Sequence, residues 1–149
     1  LKGHKDTVWS ANFSPDSQQV VTASEDKTAR VWNLSGKELA ILSGHEDTVW
    51  SANFSPDGQN IVTASVDRIG RVWDLEGRLL AKLQQHTDGV NSGSFSFDGK
   101  WIVTASNDGT ARVWDINSKL LTELKVSDIP IEEQRNLYYR GASASFSPN

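Results

Sequence analysis

The sequence predicts an all-β protein built from a repeated, hairpin-rich unit, and two observations lead to this prediction. In residues 103–115, valine and alanine alternate with polar residues on either side of a turn-forming Asn-Asp-Gly cluster. Such alternation predicts two half-buried strands joined by a tight turn. Close copies of the segment occupy residues 21–33 and 62–74. The fold is therefore expected to be a series of similar β units.

The repeat has a period of 41 residues, which sets the size of each unit. The same interval separates equivalent histidines and equivalent tryptophans, namely His4, His45 and His86, and Trp32, Trp73 and Trp114.

The first unit is predicted to contain four strands. Its inner strand is expected at residues 7–14, where Val8 and Phe13 should face a core, and Pro15 pre-sets the bend that follows. The other three strands are expected at residues 19–24, 28–34 and 38–42. Tight turns connect them, so the unit is a four-stranded antiparallel sheet.

The later units follow the same plan until Leu124. Beyond it, Phe146 lies 51 residues after Phe95, ten more than the period. The added residues are predicted to form a loop with a short helix, because Pro130 suits a first helical turn and Gly141 suits the position beyond a helix end. The predicted boundaries are 1–43, 44–84 and 85–126 for three units, 127–141 for the insertion, and 142–149 for the inner strand of a fourth unit.

Three sets of motifs identify the unit. They are the Gly-His pairs at 3–4 and 44–45, the identical segments 8–16 and 49–57, and the Trp-Asp pairs at 73–74 and 114–115. A period of about 40–45 residues that closes with Trp-Asp is typical of a propeller blade. The sequence thus resembles the WD-repeat (WD40) β-propeller family over nearly its whole length. Gln85 and Asn33 depart from the motifs in ways that the fold should tolerate.

The resemblance implies three complete blades and the inner strand of a fourth. Propellers generally have about four to eight blades, because each blade covers its apolar faces by packing against two neighbours. We therefore expect either a piece of a longer propeller or a ring completed by other copies. The sequence contains no methionine, which favours a piece. Repeats this similar to one another also resemble the WD-repeat arrays attached to bacterial signalling ATPases and kinases.

The resemblance further implies a structural hydrogen-bond network in each blade. In it, aspartate accepts from imidazole, a hydroxyl bridges imidazole and indole, and tryptophan fills the blade. The implied members are His4, Thr22, Asp26 and Trp32 in the first unit, His45, Thr63, Asp67 and Trp73 in the second, and His86, Thr104, Asp108 and Trp114 in the third.

Hydroxyl, histidine and aspartate also make up a nucleophilic triad, so a hydrolase is an alternative. A catalytic site is built once, whereas this set recurs in register in every unit, and repetition favours the structural interpretation. Histidines placed one per blade do not converge as zinc ligands do. We therefore expect no catalytic residues, no metal site and no cofactor.

The resemblance places a binding surface on one face of the blades, called the upper face. Trp9 and Trp50 are notable there, because exposed aromatic residues are common anchors of protein interfaces. The alternative is that the two tryptophans merely pack against each other. The insertion offers two further aromatic residues for the same face, and the alternative is that it packs as a lid over the fourth blade. The candidate binding residues are Thr7, Trp9, Glu25, Thr48, Trp50, Val66, Gly89, Asn91, Asn107, Tyr138 and Tyr139.

Composition narrows the class of partner. A formal charge of −4 and a pI near 5.3 provide no long-range field that would attract nucleic acid. The sequence has no cysteine, so disulfides and thiolate metal sites are excluded. The longest apolar runs are of strand length, and no signal peptide is evident, so neither a membrane span nor secretion is expected. A cytoplasmic location is the expectation.

The function predicted from the sequence is that of a non-catalytic scaffold for signalling. Its upper face would bind another protein or another domain of the same polypeptide. The first alternative is a structural module that completes a propeller ring with other copies of itself. The second alternative is a hydrolase.

Overall fold

The computed structural model describes residues 2–125, in which every regular element is a β-strand. The twelve strands are β1 (Val8–Phe13), β2 (Gln19–Ser24), β3 (Thr28–Asn33), β4 (Glu38–Ser43), β5 (Val49–Phe54), β6 (Asn60–Ser65), β7 (Gly70–Asp74), β8 (Leu79–Leu83), β9 (Val90–Phe95), β10 (Trp101–Ser106), β11 (Thr110–Asp115) and β12 (Leu120–Lys125). The predictions for 127–141 and 142–149, with Tyr138 and Tyr139, lie outside the described residues.

The strands form three four-stranded antiparallel sheets, in the orders β1-β2-β3-β4, β5-β6-β7-β8 and β9-β10-β11-β12. Each sheet is a meander of hairpins, and each corresponds to one 41-residue repeat. We call them blades 1, 2 and 3. They do not close into a ring within the described residues. The predicted all-β fold of four-stranded blades is confirmed.

Consecutive blades pack face to face around two apolar clusters. The first joins Val21, Val31 and Leu42 of blade 1 to Ile61 and Trp73 of blade 2. The second joins Val62, Val72 and Leu83 of blade 2 to Phe95, Ile102 and Trp114 of blade 3. The tryptophan before each terminal Asp or Asn is buried, and a side chain of this size removes a large apolar area from water.

Polar contacts also join neighbouring blades. The Asn12 side-chain amide donates to the Ala52 carbonyl at 3.0 Å, and Asn53 donates to the Gly93 carbonyl at 2.8 Å. Each bond crosses from the inner strand of one blade to the inner strand of the next, so it fixes their relative height.

The outer turn of blade 2 lies directly against blade 1. Gly77 in this turn has a φ of 86°, and a Cβ there would come within 2.8 Å of the Ile41 carbonyl oxygen. A side chain at this position would therefore be strained and would separate the blades.

One expectation about the inner strand of blade 1 is wrong. Val8 and Phe13 were predicted to face a core, but both are exposed. Their equivalents in blades 2 and 3 pack on the preceding blade, and blade 1 has no preceding blade within the described residues.

Among residues 2–125, no helix is long and apolar enough to cross a membrane.

Candidate functional site

A chain of hydrogen bonds crosses the interior of blade 1. His4 Nδ1 lies 2.8 Å from Asp26 Oδ2, and His4 Nε2 lies 2.7 Å from Thr22 Oγ1. The indole Nε1–H of Trp32 donates to the same hydroxyl at 2.8 Å. The structure thus brings together all four residues of the predicted network.

The network recurs in the other two blades with nearly the same geometry. The His Nδ1 to Asp distances are 2.8 and 2.9 Å, the His Nε2 to Thr distances are both 2.7 Å, and the Trp Nε1 to Thr distances are both 2.9 Å. The residues concerned are His45, Thr63, Asp67 and Trp73 in blade 2, and His86, Thr104, Asp108 and Trp114 in blade 3.

The pattern of donors and acceptors assigns the histidine tautomer. The carboxylate can only accept, so Nδ1 carries the proton and donates to it. The threonine hydroxyl accepts from the indole, and its own hydrogen is then free to be donated to the unprotonated Nε2. Every partner is satisfied when the imidazole is neutral.

Burial keeps the imidazoles of blades 2 and 3 neutral. Desolvation, together with the nearby Arg71 charge, lowers the pKa of His45 against the opposing effect of Asp67. The pKa of His86 is lowered in the same way, against the opposing effect of Asp108. Both shifts favour the neutral tautomer that the hydrogen bonds require.

The network aspartates are held ionised. Partial burial raises the pKa of the Asp26 carboxyl, but hydrogen bonds from the Thr28 hydroxyl, the Lys5 N–H and His4 hold that pKa well below its ordinary value. The backbone N–H of Lys5 reaches Asp26 at 2.9 Å. The carboxylate thus ties the loop before β1 to the β2–β3 turn, so these two segments are held in place relative to each other.

An arginine that follows each network aspartate by four residues extends the network in blades 1 and 3. Arg30 donates to Glu38 at 2.8 Å, and Arg112 donates to Glu123 at 2.6 Å. Each guanidinium also lies 3.5 or 3.4 Å from its network aspartate. Sequence reasoning missed these arginines, although their 41-residue spacing was visible.

Blade 2 departs from this arrangement. Leu79 stands at the position of Glu38, and Lys82 stands at the position of Glu123 and pairs with Arg71 across β7 and β8. The buried Arg71 guanidinium instead donates directly to Asp67 at 2.6 Å, and it also contacts His45 Nδ1. Asp67 is therefore the acidic partner of Arg71 among the described contacts.

The geometry of the network argues against the hydrolase alternative. Thr63 Oγ1 and His45 Nε2 have the separation of a nucleophile and its base. Thr63 is fully buried, however, and its oxygen already accepts from Trp73. A substrate carbonyl could not reach this oxygen. Among residues 2–125, no group of three or more His, Cys, Asp or Glu side chains could hold a metal ion.

The candidate binding residues cluster at one edge of each blade. The backbone N–H of Glu25 donates to the Thr7 carbonyl at 2.9 Å, and Val66 donates to the Thr48 carbonyl at 3.0 Å. The equivalent bond in blade 3 joins Asn107 to Gly89 at 2.9 Å. The start of each inner strand therefore lies beside the turn between the second and third strands, and this edge is the upper face.

Three of these residues occupy β-bulges. The register between β1 and β2 shifts between Val8 and Ser10, which leaves Trp9 as the extra residue. The same shift leaves Trp50 extra in β5 and Asn91 extra in β9. A bulge interrupts strand alternation and turns one side chain away from its usual direction.

The bulges bring the tryptophans of neighbouring blades together. The ring centroids of Trp9 and Trp50 are 4.5 Å apart, and the ring planes are inclined at 54°. Trp9 nevertheless remains 46% exposed. The pair is therefore a contact between blades 1 and 2 that still presents aromatic surface to solvent.

Blade 3 has a polar version of the same edge. The Asn91 side-chain amide donates to Asn107 Oδ1 at 2.7 Å. Gly89 is buried, and a Cβ there would lie 3.4 Å from Val66 Cα. The glycine therefore permits close packing on blade 2 but contributes no side chain to the surface.

Comparison with known proteins extends the resemblance. The family model "WD domain, G-beta repeat" matches residues 1–33, 36–74 and 77–115. A 40-residue stretch is 45% identical to POC1 centriolar protein homolog B of Danio rerio, covering 27% of this chain and 8% of that protein. A 42-residue stretch is 45% identical to human striatin-4, covering 28% of this chain and 6% of striatin-4. The matches thus span about one repeat and a small part of each relative. The family model covers more than half of the chain, which therefore belongs to the WD40 family of WD-repeat proteins.

Proposed function

We propose that this protein is a non-catalytic scaffold whose upper face binds another protein or another domain of the same polypeptide. One observation carries the proposal: Trp9 and Trp50 lie side by side on bulges at the upper edge, and Trp9 remains nearly half exposed. Large aromatic side chains of this kind commonly contribute most of the energy of a protein interface.

The fold supports the proposal by holding the upper edge rigid before a partner arrives. The network aspartate of blade 2 accepts from the Glu46 N–H at 3.0 Å, which fixes the loop before β5. The Val66 to Thr48 backbone bond fixes the adjacent turn. A preorganised surface loses little conformational entropy on binding, and more of the contact energy then appears as affinity.

The family supports the same class of function, since WD40 repeats serve generally as scaffolds for protein interaction. The partner is proposed to be a protein, because the charge of −4 disfavours nucleic acid. A cytoplasmic location and a role in signalling belong to the proposal as well. The sequence has no cysteine, so no disulfide points to an oxidising compartment.

The test compares two surfaces of one protein. The wild type, the double variant Trp9→Ala/Trp50→Ala and the control Phe97→Ala are used as baits, and the captured proteins are identified by mass spectrometry. Phe97 is a suitable control because it is 85% exposed and lies in the β9–β10 turn, at the opposite edge of the blade. Each candidate is then purified and titrated calorimetrically against the three baits.

The proposal requires a partner that binds the wild type and the Phe97 variant equally. Loss of the two tryptophans should weaken that binding by about tenfold or more. Equal affinity for all three baits would show that the tryptophans serve only the contact between blades, and the proposed surface would be wrong.

A further inference from the structure

The chain contains four Asp-Gly sequences, and this dipeptide has a particular chemical reactivity. The backbone nitrogen of the residue after an aspartate can attack the side-chain carboxyl group and close a cyclic imide, a succinimide. Glycine allows this reaction best, because any side chain on the following residue hinders the approach, and a β-branched one hinders it most. The four sequences are Asp57-Gly58, Asp88-Gly89, Asp98-Gly99 and Asp108-Gly109.

Three of the four glycines have their N–H directed away from the preceding carboxyl group. In each, the N–H donates to the carbonyl oxygen three residues earlier, at 2.9 Å for Gly58 and Gly99 and at 3.3 Å for Gly109. The electron pair left on nitrogen after loss of this proton would point at that carbonyl. The turn hydrogen bond therefore protects these three sites.

The carboxyl groups before the same three glycines are also engaged. The Ser55 hydroxyl donates to Asp57 at 2.5 Å, and this bond holds the pKa of that carboxyl below its ordinary value. The Ser96 hydroxyl acts in the same way on Asp98, at 2.8 Å. Asp108 belongs to the hydrogen-bond network of blade 3, and its side chain is 4% exposed. A carboxylate that is held ionised is a poor electrophile, so the three groups resist attack.

Asp88-Gly89 has the opposite arrangement. The Gly89 N–H donates to Asp88 Oδ1 at 2.6 Å, so the hydrogen that the nitrogen must lose points at the carboxyl group that it would attack. Because Cγ is one bond of about 1.2 Å from that oxygen, it lies within about 4 Å of the Gly89 nitrogen. Groups held this close react faster through proximity and orientation. Asp88 is exposed, so water also reaches the site.

Blades 1 and 2 hold the equivalent aspartates in the same way but place threonine after them. The Thr7 N–H donates to Asp6 Oδ1 at 2.8 Å. The Thr48 N–H donates to Asp47 Oδ1 at 2.7 Å. Each threonine carries a branched Cβ that hinders its nitrogen. Among residues 2–125, blade 3 alone combines the close aspartate with an unhindered nitrogen.

We propose that Asp88 is a site of spontaneous isoaspartate formation. In the first step the Gly89 nitrogen loses its proton and bonds to Cγ of the carboxylic acid, and one carboxyl oxygen leaves as water. In the second step water adds to either carbonyl carbon of the imide and breaks its bond to nitrogen. Cleavage at Cγ restores aspartate, whereas cleavage at the main-chain carbon leaves the chain running through Cβ and Cγ. One water is released and one is consumed, so no other reactant is needed.

The modification would change the upper edge of blade 3 by adding one methylene to the main chain. The Gly89 carbonyl, which accepts from the Asn107 N–H at 2.9 Å, would be displaced. The Asp88 carbonyl, which accepts from the Ser106 hydroxyl at 3.0 Å, would become part of the new carboxylate. Both bonds join the loop before β9 to the end of β10 and the turn after it. Isoaspartate should therefore loosen the contact between these segments.

The test ages the folded protein at mildly acidic pH and measures isoaspartate at each position. Aspartate and isoaspartate have equal mass, but electron-transfer fragmentation of the digested protein distinguishes them, and the succinimide is lighter by one water. The wild type is compared with Gly89→Thr, which gives blade 3 the residue of blades 1 and 2. Isoaspartate should accumulate at Asp88 of the wild type about tenfold faster than at the other Asp-Gly sequences. The variant should lose this accumulation.

Ageing in urea shows whether the fold causes the selectivity. All four sequences should react at similar rates in the unfolded chain, because the protecting contacts are lost. A folded wild type in which Asp57 or Asp98 reacts as fast as Asp88 would overturn the proposal. A preference for Asp88 that persists unchanged in urea would overturn it too, because local sequence would then be its cause. If circular dichroism shows that Gly89→Thr fails to fold, Gly89→Ala replaces it, since the φ of Gly89 lies outside the left-handed region.

Discussion

The indole rings of Trp9 and Trp50 contact each other across the boundary between two blades, with centroids 4.5 Å apart and planes inclined at 54°. The tilted arrangement is favourable for aromatic pairs, and such pairs contribute about 0.5–1.5 kcal/mol beyond the area they bury. The same two side chains are proposed to anchor a partner. Their stabilising role and their binding role can be measured separately.

A double-mutant cycle should reveal the stabilising role. We expect Trp9→Ala and Trp50→Ala each to lower the free energy of unfolding, with a coupling energy of about 0.5–1.5 kcal/mol between them. Urea denaturation of the wild type, both single variants and the double variant provides the measurement. A coupling energy of zero would contradict the contact. Asn91→Ala measures the cost of altering the equivalent bulge without breaking a contact between tryptophans. Asn91 is the extra residue of that bulge and bonds to Asn107.

The network aspartates should differ in their contribution to stability. Asp67→Ala would leave the buried Arg71 guanidinium without its acidic partner, and stranding a buried charge costs about 3–5 kcal/mol. Asp26→Ala should cost less, about 1–3 kcal/mol, because Arg30 keeps its ion pair with Glu38.

Denaturant unfolding of the two variants under the same conditions gives the comparison. Both variants lose the bonds to histidine and to the loop backbone, and Asp26→Ala also loses the bond from the Thr28 hydroxyl, so a larger loss in Asp67→Ala reports the effect of Arg71. If Asp26→Ala were the more destabilised of the two, the assignment of Asp67 as the critical partner of Arg71 would be wrong.

Much of the blade could be predicted from the sequence because its determinants are local. The alternation of valine and alanine and the turn clusters define strands, and the 41-residue period defines the unit. The four-residue network was implied by a motif that recurs at fixed positions. The bulges at Trp9 and Trp50 could not be predicted, since a bulge depends on how two strands align and not on one strand alone.

Exposure of the blade faces could not be predicted either. Val8 and Phe13 have the same sequence context as Val49 and Phe54, so their pattern predicts the same burial. Their different environments arise from the neighbouring blade, because Val49 and Phe54 pack against blade 1, whereas blade 1 has no preceding blade within the described residues. The contact of Arg71 with Asp67 likewise depends on two residues of another strand, Leu79 and Lys82, that are not acidic.

Blade 2 can be given the ion pair that blade 3 already has. Lys82 lies directly across from Arg71, as Glu123 lies across from Arg112. Lys82→Glu should therefore replace a like-charge pair by an ion pair and raise the midpoint of thermal unfolding by about 1–3 °C. Thermal melts at low and at moderate ionic strength provide the measurement.

Lys82→Gln separates the two contributions, because it removes the repulsion without adding a carboxylate. We expect the glutamine variant to lie between the wild type and the glutamate variant. The reverse substitution in blade 3, Glu123→Lys, should lower the unfolding midpoint. A glutamate variant no more stable than the glutamine variant would show that Arg71 does not accept a second acidic partner.

Acidification should destabilise the protein in two steps, the first of which comes from the buried histidines. Burial lowers the pKa of His45 and His86 below the ordinary value of 6.5. Below about pH 6.5 the unfolded chain therefore binds protons that the folded chain does not, and stability falls as the pH falls. The lowered pKa values of Asp67 and Asp108 act in the same direction below their ordinary value of 3.8.

The free energy of unfolding should therefore decrease from pH 7 to pH 5, and decrease again below pH 4. Each additional proton bound by the unfolded chain contributes a slope of up to about 1.4 kcal/mol per pH unit. Urea denaturation at intervals across this range gives the slope of the unfolding free energy against pH.

His45→Gln retains an amide donor for Asp67 but cannot titrate. This variant should be less stable at pH 7, yet its unfolding free energy should show a shallower slope between pH 7 and pH 5. An unchanged slope in that variant would mean that His45 does not contribute to the acid sensitivity.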